Sequence, residues 1–370
     1  MRDKFQSAFQ FDNELAWKIF DHLVSGLSSD SGVAAKSSIG EKMVGGGVVQ
    51  RSRRTYDHAI NGAIGEATQG LLHAIGTLKL DENQGIPEVF KSRIEVLLAV
   101  PSDGGDHAVA ILANHVNWLY YRDPDWVMKR IVPWFDLENN SCEPAWSGFL
   151  SRANPPYKEL RTVLKPFLLR LFPEIYSWSW GDELARIAAQ IVVGLTVYRD
   201  DSHGGLTDKE ARQCLRNMKD ENRQDAIFHL GQIGQQEEDG WSICVIPFVR
   251  NVWPRERKYR TSTLVRSWVT LLDDTGENFP AVLNVVHKLL VPVEGENHWL
   301  YRFSKDGANE QSLTSQYPEH VLELLDAVIP NSPEYVPYEM AQVLNLIEET
   351  DSSLVRDRRF QRLTYLIEQT

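Results

Sequence analysis

Apolar residues recur three and four positions apart along almost the whole chain, and the alternation of a half-buried strand is scarce. In residues 104–121, GGDHAVAILANHVNWLYY, Val109, Leu112, Val116 and Leu119 fall on one helical face. Asp103 or the Gly104–Gly105 pair starts this helix. Asp123-Pro124 ends it and opens a second, Asp123 to Phe135, with Asp123 as N-cap and Pro124 at the first helical position. Asp182 to Tyr198, Asp208 to Met218 and Ser353 to Ile367 carry the same period. In all, about fourteen helices of roughly 10 to 20 residues are predicted. Strand candidates are two: Val48-Val49 behind Gly45 to Gly47, and Ile243 to Val249, interrupted by Pro247.

Prolines punctuate the helical pattern. Pro133, Pro166 and Pro247 each follow an apolar stretch and precede an aromatic, and Pro292 and Pro330 repeat the break without the aromatic. A proline inside a helix kinks or divides it. Helical hairpins stacked as a solenoid carry such breaks, but the spacing here is irregular. The fold class predicted is all-α, with irregular stacked helical hairpins of the HEAT/armadillo-like solenoid type. Composition suggests three segments: residues 1–50, an N-terminal helix (Asn13 to Leu27) plus a Ser- and Gly-rich linker; 51–293, the main helical-repeat body; and 294–370, a C-terminal helical group.

The 370 residues are 42% hydrophobic and 24% charged, with 11 Trp, 12 Tyr and 14 Phe, which is ample material for a packed core. The net charge of −12 argues against a protein whose whole surface coats nucleic acid, leaving a local basic patch open. Three cysteines cannot staple a secreted scaffold, which predicts a reducing compartment. The charged N-terminus and the short apolar runs predict a cytoplasmic chain with no membrane association.

Motifs for chemistry are missing from the sequence. It has no GxxxxGK[ST] loop, no GxGxxG turn after a strand, no GxSxG elbow and no HExxH. Cys142, Cys214 and Cys244 stand far apart, and His107 and His115, eight residues apart on one predicted helix, lie about 12 Å apart along its axis. No metal and no cofactor is expected. DDSHGG, Asp200 to Gly205, reads as a helix terminus and turn, with Asp208 capping the next helix. An enzymatic alternative would need Asp200, Asp201, His203 and His229 to converge in a cleft. Glu237-Glu238-Asp239 and Asp273-Asp274 fall where helices should end. The tryptophans at 118, 126, 134, 146, 178 and 180 suit the seams between helices.

The sharpest anomaly is basic. RNVWPRERKYRTSTLVR, residues 250–266, carries Arg250, Arg255, Arg257, Lys258, Arg260 and Arg266 against Glu256, with Trp253 and Tyr259 interleaved and Thr261 or Ser262 capping the next helix. Arg250, Trp253, Arg255, Arg257, Lys258, Tyr259 and Arg260 are therefore the candidate binding residues, for a protein partner or for nucleic acid. The structural alternative is an interhelical loop whose charges neutralise the carbonyl end of the preceding helix. A second cluster, Arg356 to Arg362, reads as an ion-paired surface.

The run from His107 to Leu150 resembles the helical C-terminal region of bacterial sirtuin-like anti-phage defence proteins. The resemblance is carried by Asp-Pro-x-Trp at Asp123 to Trp126, the Pro-aromatic break, and Ala-Trp-x-Gly-Phe at Ala145 to Phe149. It implies a region that senses a phage component and governs assembly, beside an NAD-degrading domain. This chain has no Gly-rich NAD loop, so no catalytic residue carries over. The expectation is thus a non-enzymatic scaffold or sensor that binds a protein partner, a phage protein, a defence assembly or another copy of itself. Nucleic-acid binding through residues 250–266 is the alternative.

Overall fold

The computed structural model describes residues 13–29, 32, 36–40, 42–49, 51–152, 156–294, 298–304, 312–333 and 335–369. Among these it is all-α, with nineteen α-helices and one two-stranded ribbon. Two compact units form, residues 1–191 with 199–205 and residues 192–198 with 206–370. These units do not follow the composition-based segments at 50 and 293.

In the first unit α1 (Asn13–Ser29) precedes the ribbon β1 (Lys42–Val44) and β2 (Gly47–Val49). Then come α2 (Tyr56–Ile60), α3 (Ala63–Thr77), α4 (Glu88–Leu98), α5 (Asp103–Asn114), α6 (Val116–Arg122), α7 (Pro124–Arg130), α8 (Cys142–Leu150) and α9 (Lys158–Glu174). Helix α10 (Gly181–Val197) supplies residues to both units. The second unit continues with α11 (Asp208–Asn217), α12 (Asp220–Gln236), α13 (Ile246–Asn251), α14 (Ser262–Asp273) and α15 (Phe279–Val286). It closes with α16 (Leu313–Gln316), α17 (Pro318–Val328), α18 (Tyr338–Thr350) and α19 (Arg358–Glu368).

Helix α5 is the axis of the first unit. From Ala108 to Ala113 its sequence is small or apolar throughout, and residues 107–114 are all buried among α2, α3, α4 and α8. Glycines set the closest crossing: a Cβ at Gly148 of α8 would lie 2.0 Å from the Ala110 carbonyl oxygen, so only glycine fits. The Asn114 amide nitrogen donates to the Gly148 carbonyl across the same seam (2.9 Å), and Trp146 Nε1 donates to the Phe135 carbonyl (3.1 Å). In the second unit the Trp253 and Trp268 rings meet edge to face at 4.7 Å, and Gly234 leaves room for the Trp241 ring.

The expected helix over 104–121 breaks at His115, so His107 and His115 lie on separate elements. Asp123 caps α7 through the Trp126 amide (3.1 Å), with Pro124 at its start, as read; Pro133 then opens a separate 3-10 turn. Ser353 to Ile367 likewise divides, into a 3-10 turn and α19, which Asp357 caps. Such breaks explain why nineteen helices replace the expected fourteen. Ile243 to Val249 is no strand: a π-turn, Trp241–Val245, runs into α13, where Pro247 sits in the first turn and withholds no needed donor. Val48-Val49 does form a strand, joined to β1 through Gly45 and Gly46, both at positive φ as a two-residue hairpin turn requires. The cap of α11 is Thr207, one residue before the expected Asp208, in a reciprocal capping box with Glu210. Asn13 to Leu27 is tied to the body: Trp17 meets Phe90 edge to face at 5.3 Å, and Arg93 stacks on Trp17 while bonding both Asp21 oxygens at 2.9 Å.

Candidate functional site

The basic segment leaves the carbonyl end of α13, passes through a 3-10 turn (Arg257–Tyr259) and enters α14, which Thr261 caps. Trp253 is fully buried, and Tyr259 is buried with its hydroxyl donating to the Arg216 carbonyl (3.3 Å). Neither can act as the surface anchor or stacking platform expected of it. The charges divide into two sets. Arg255 Nη2 donates to the Val249 (3.2 Å) and Arg250 (3.1 Å) carbonyls, and Arg260 Nη2 donates to the Arg255 carbonyl (2.8 Å). Arg255 therefore closes the carbonyl end of α13, as the structural alternative requires, and Arg260 holds the loop that follows it. Arg250, Arg257 and Lys258 stay exposed, and Glu256 is paired with Arg216.

A third guanidinium arrives from outside the segment. Arg212 of α11 donates through Nε to the Val252 carbonyl (3.3 Å) and through Nη2 to the Asn251 carbonyl. Among the described residues no carboxylate lies within ion-pair distance of Arg212, Arg255 or Arg260. Burial, then the charges of Arg260 and Arg212, push the Arg255 guanidinium below its ordinary value. Arg255 Nη1, Arg260 Nε and Trp253 Nε1 are sealed from solvent without an acceptor among the described residues.

The first unit holds a polar network that the sequence analysis did not single out. Arg54 Nε donates to Asp106 (2.6 Å), its Nη1 faces Glu143 (3.5 Å), and its Nη2 donates to the Asn140 carbonyl. Burial works against this guanidinium, but the Asp106 bond and the charges of Asp106, Glu143 and Asp103 hold it above its ordinary value. His107, buried on α5, bonds the Arg53 carbonyl through Nε2 (2.9 Å), and burial lowers its pKa. Burial and then the Arg53 charge lower that of His58. Gly62 lets the His107 ring in, since a Cβ there would meet Nδ1 at 2.8 Å.

An apolar groove lies between α1 and α3. Ala16, Phe20 and Val24 turn inward, whereas Ile19 (45%) and Leu23 (41%) remain exposed on the next stripe of the same helix. Phe20, Leu23 and Leu27 face Ala63, Ala67 and Gly70 of α3 across a cavity of about 350 Å³, with His22 and Glu66 at its edge. The small residues on α3 are what keep it open; nothing stands within 4 Å of a Cβ added at Gly70.

The residues of the enzymatic alternative are each held by near neighbours in sequence. Asp200 accepts from His203 Nδ1 (2.7 Å), but the pair sits three residues apart on a partly exposed 3-10 turn that Gly204 closes at φ +71. Asp201 pairs with Arg199, and His229 bonds Gln232 one helical turn away. The acidic runs end helices as read: Glu237 and Asp274 are the C-caps of α12 and α14. Arg359 and Arg362 are ion-paired as expected, with Asp357 and Asp326. Among the described residues no group of three or more His, Cys, Asp or Glu is placed to hold a metal ion, and no helix is long and apolar enough to cross a membrane.

No family model matches the chain, and no solved structure matches it. The uncharacterized protein y4cA of Sinorhizobium fredii is 20% identical over 319 residues, which cover 84% of this chain and 26% of that protein. The chain thus spans about a quarter of the length of that relative, and the likeness extends through most of both units.

Proposed function

We propose that the chain is a helical scaffold that takes an amphipathic helix of a partner protein into the groove between α1 and α3. The observation that carries this reading is the exposed Ile19 and Leu23 stripe running beside an open, apolar trough floored by Ala63, Ala67 and Gly70. From Phe20 to Leu27 the trough extends about 10 Å, roughly two turns, and small floor residues admit a third helix at a close axial distance. Apolar side chains at i, i+4 and i+7 of the incoming helix would fill it, with polar groups meeting His22 and Glu66 at the rim. A role in bacterial anti-phage defence is the context proposed for this scaffold, on the strength of the His107 to Leu150 run.

Selection of displayed peptides against the intact chain tests the reading. The expected winners carry apolar residues at helical spacing, bind with Kd of about 1–10 μM, and weaken more than about tenfold against an Ile19→Asp, Leu23→Asp double variant. Both side chains are exposed, so that variant should keep its fold. Winners that bind it undiminished would sink the proposal, and loss on charge reversal of Arg257 and Lys258 instead would move the interface to the basic segment.

A further inference from the structure

The arginines around the end of α13 have two deficits that the described residues do not correct. The first is charge. Arg212, Arg255 and Arg260 converge on one set of carbonyls, from Val249 to Arg255, with no carboxylate within ion-pair distance among the described residues. Carbonyl dipoles at a helix end offset a fraction of one positive charge, not three. Exposed Arg250, Arg257 and Lys258 add three more nearby in sequence, while Glu256 is already held by Arg216.

The second deficit is in hydrogen bonds. Arg255 Nη1, Arg260 Nε and, on a fully buried side chain, Trp253 Nε1 are donors without acceptors. Leaving a buried donor unmade costs about 1–3 kcal/mol, more where the group is charged. Two of these groups belong to guanidiniums of the same cluster, where the cost is largest. A water molecule would supply an acceptor but no charge, and a chloride would supply charge but no array of acceptors. A tetrahedral oxyanion supplies both to Arg255 and Arg260 once their guanidinium groups turn outward to meet it, and guanidinium forks match its oxygens in pairs.

We infer that Arg212, Arg255 and Arg260 form a binding site for a phosphate group, carried either as free phosphate or on a small phosphomonoester or nucleotide. The site is built from two parts of the second unit, α11 and the loop after α13, so binding ties them together. It uses none of the residues of the α1/α3 groove, and stands or falls separately from the scaffold reading.

Isothermal titration of the full chain with inorganic phosphate and, in a second arm, with ATP tests it. Saturable binding with Kd of about 0.1–1 mM is expected in at least one arm, weakening about tenfold or more in Arg255→Met and less in Arg255→Lys, which keeps the charge but not the fork. Binding in both arms with mutual competition assigns free phosphate as sufficient; binding of ATP alone assigns a phosphate ester. Should Arg255→Met unfold, Arg212→Met, whose side chain reaches in from α11, provides the same comparison. No saturable binding in either arm overturns the proposal. So does binding that survives Arg255→Met or Arg212→Met but disappears in an Arg257→Ala, Lys258→Ala double variant, because the exposed cations would then be the site.

Discussion

Arg54 and Arg255 are both half-buried arginines that bond backbone carbonyls, yet their surroundings are opposite. Arg54 lies among Asp106, Glu143 and Asp103, and its guanidinium is held above the ordinary value despite burial. Arg255 lies beside Arg260 and Arg212, and burial together with those charges pushes it below. In the first network the guanidinium charge is matched by carboxylates, which is what a structural ion pair needs. The second is structural in its carbonyl contacts but retains charge that no carboxylate among the described residues matches. Burial alone does not separate a structural arginine from a ligand-binding one; the sign of the neighbouring charges does.

The neutralised network depends on a rigid seam. Asp106 stands on α5 and Glu143 on α8, and these helices touch where Gly148 meets Ala110. Gly148→Ala forces a Cβ to within 2.0 Å of a backbone oxygen that cannot rotate aside. The expected loss is about 3 kcal/mol or more, read as a lowered midpoint in urea. A variant as stable as the parent would mean that the seam yields easily, and that the carboxylates are not held in register by it.

Removing each arginine head in turn strikes at the comparison itself. Arg54→Met leaves Asp106 and Glu143 as partly buried carboxylates without their cation. Such a break costs about 3–5 kcal/mol when fully buried, and the partial exposure here reduces the expectation to about 2 kcal/mol. Arg255→Met loses two carbonyl contacts but also relieves repulsion from Arg212 and Arg260, so a cost of about 1 kcal/mol or less is expected. Equal costs in urea denaturation would erase the distinction between the two environments.

How far the sequence disclosed these regions follows from how local each signal is. Periodicity found the helices because the inward faces repeat within a few residues, and Asp123-Pro124 announced its own cap. The π-turn at Trp241–Val245 and the break at His115 leave no comparable local mark, since packing decides whether a helix continues there. The basic run was visible as composition, but composition cannot show that Trp253 and Tyr259 turn inward. Arg212 was missed because it stands roughly forty residues earlier on a charged amphipathic helix, where one more arginine is unremarked. The Arg54 network was missed for the same reason: its members come from the segment before α2, from α5 and from α8. Gly62, Gly148 and the α1/α3 groove likewise acquire meaning only from what faces them.

A pH series sharpens the contrast with the smallest effect. His107 is buried beside Arg53, with Asp103 and Asp106 nearby, and its folded pKa is lowered, chiefly by burial. The unfolded chain takes up that proton near the ordinary value of about 6.5. Above this both states are neutral and the full stability is present. As pH falls below it, the unfolded state binds protons first, and stability declines until the depressed folded value is reached. His58, lowered by burial and by Arg53 and His107 with Asp57 and Asp103 opposing, adds the same sign. Between about pH 7.5 and about pH 5.5 stability should fall with pH on account of His107, and His107→Gln should flatten the slope. A slope unchanged in His107→Gln would place the acid sensitivity elsewhere than the Arg53–His107 contact.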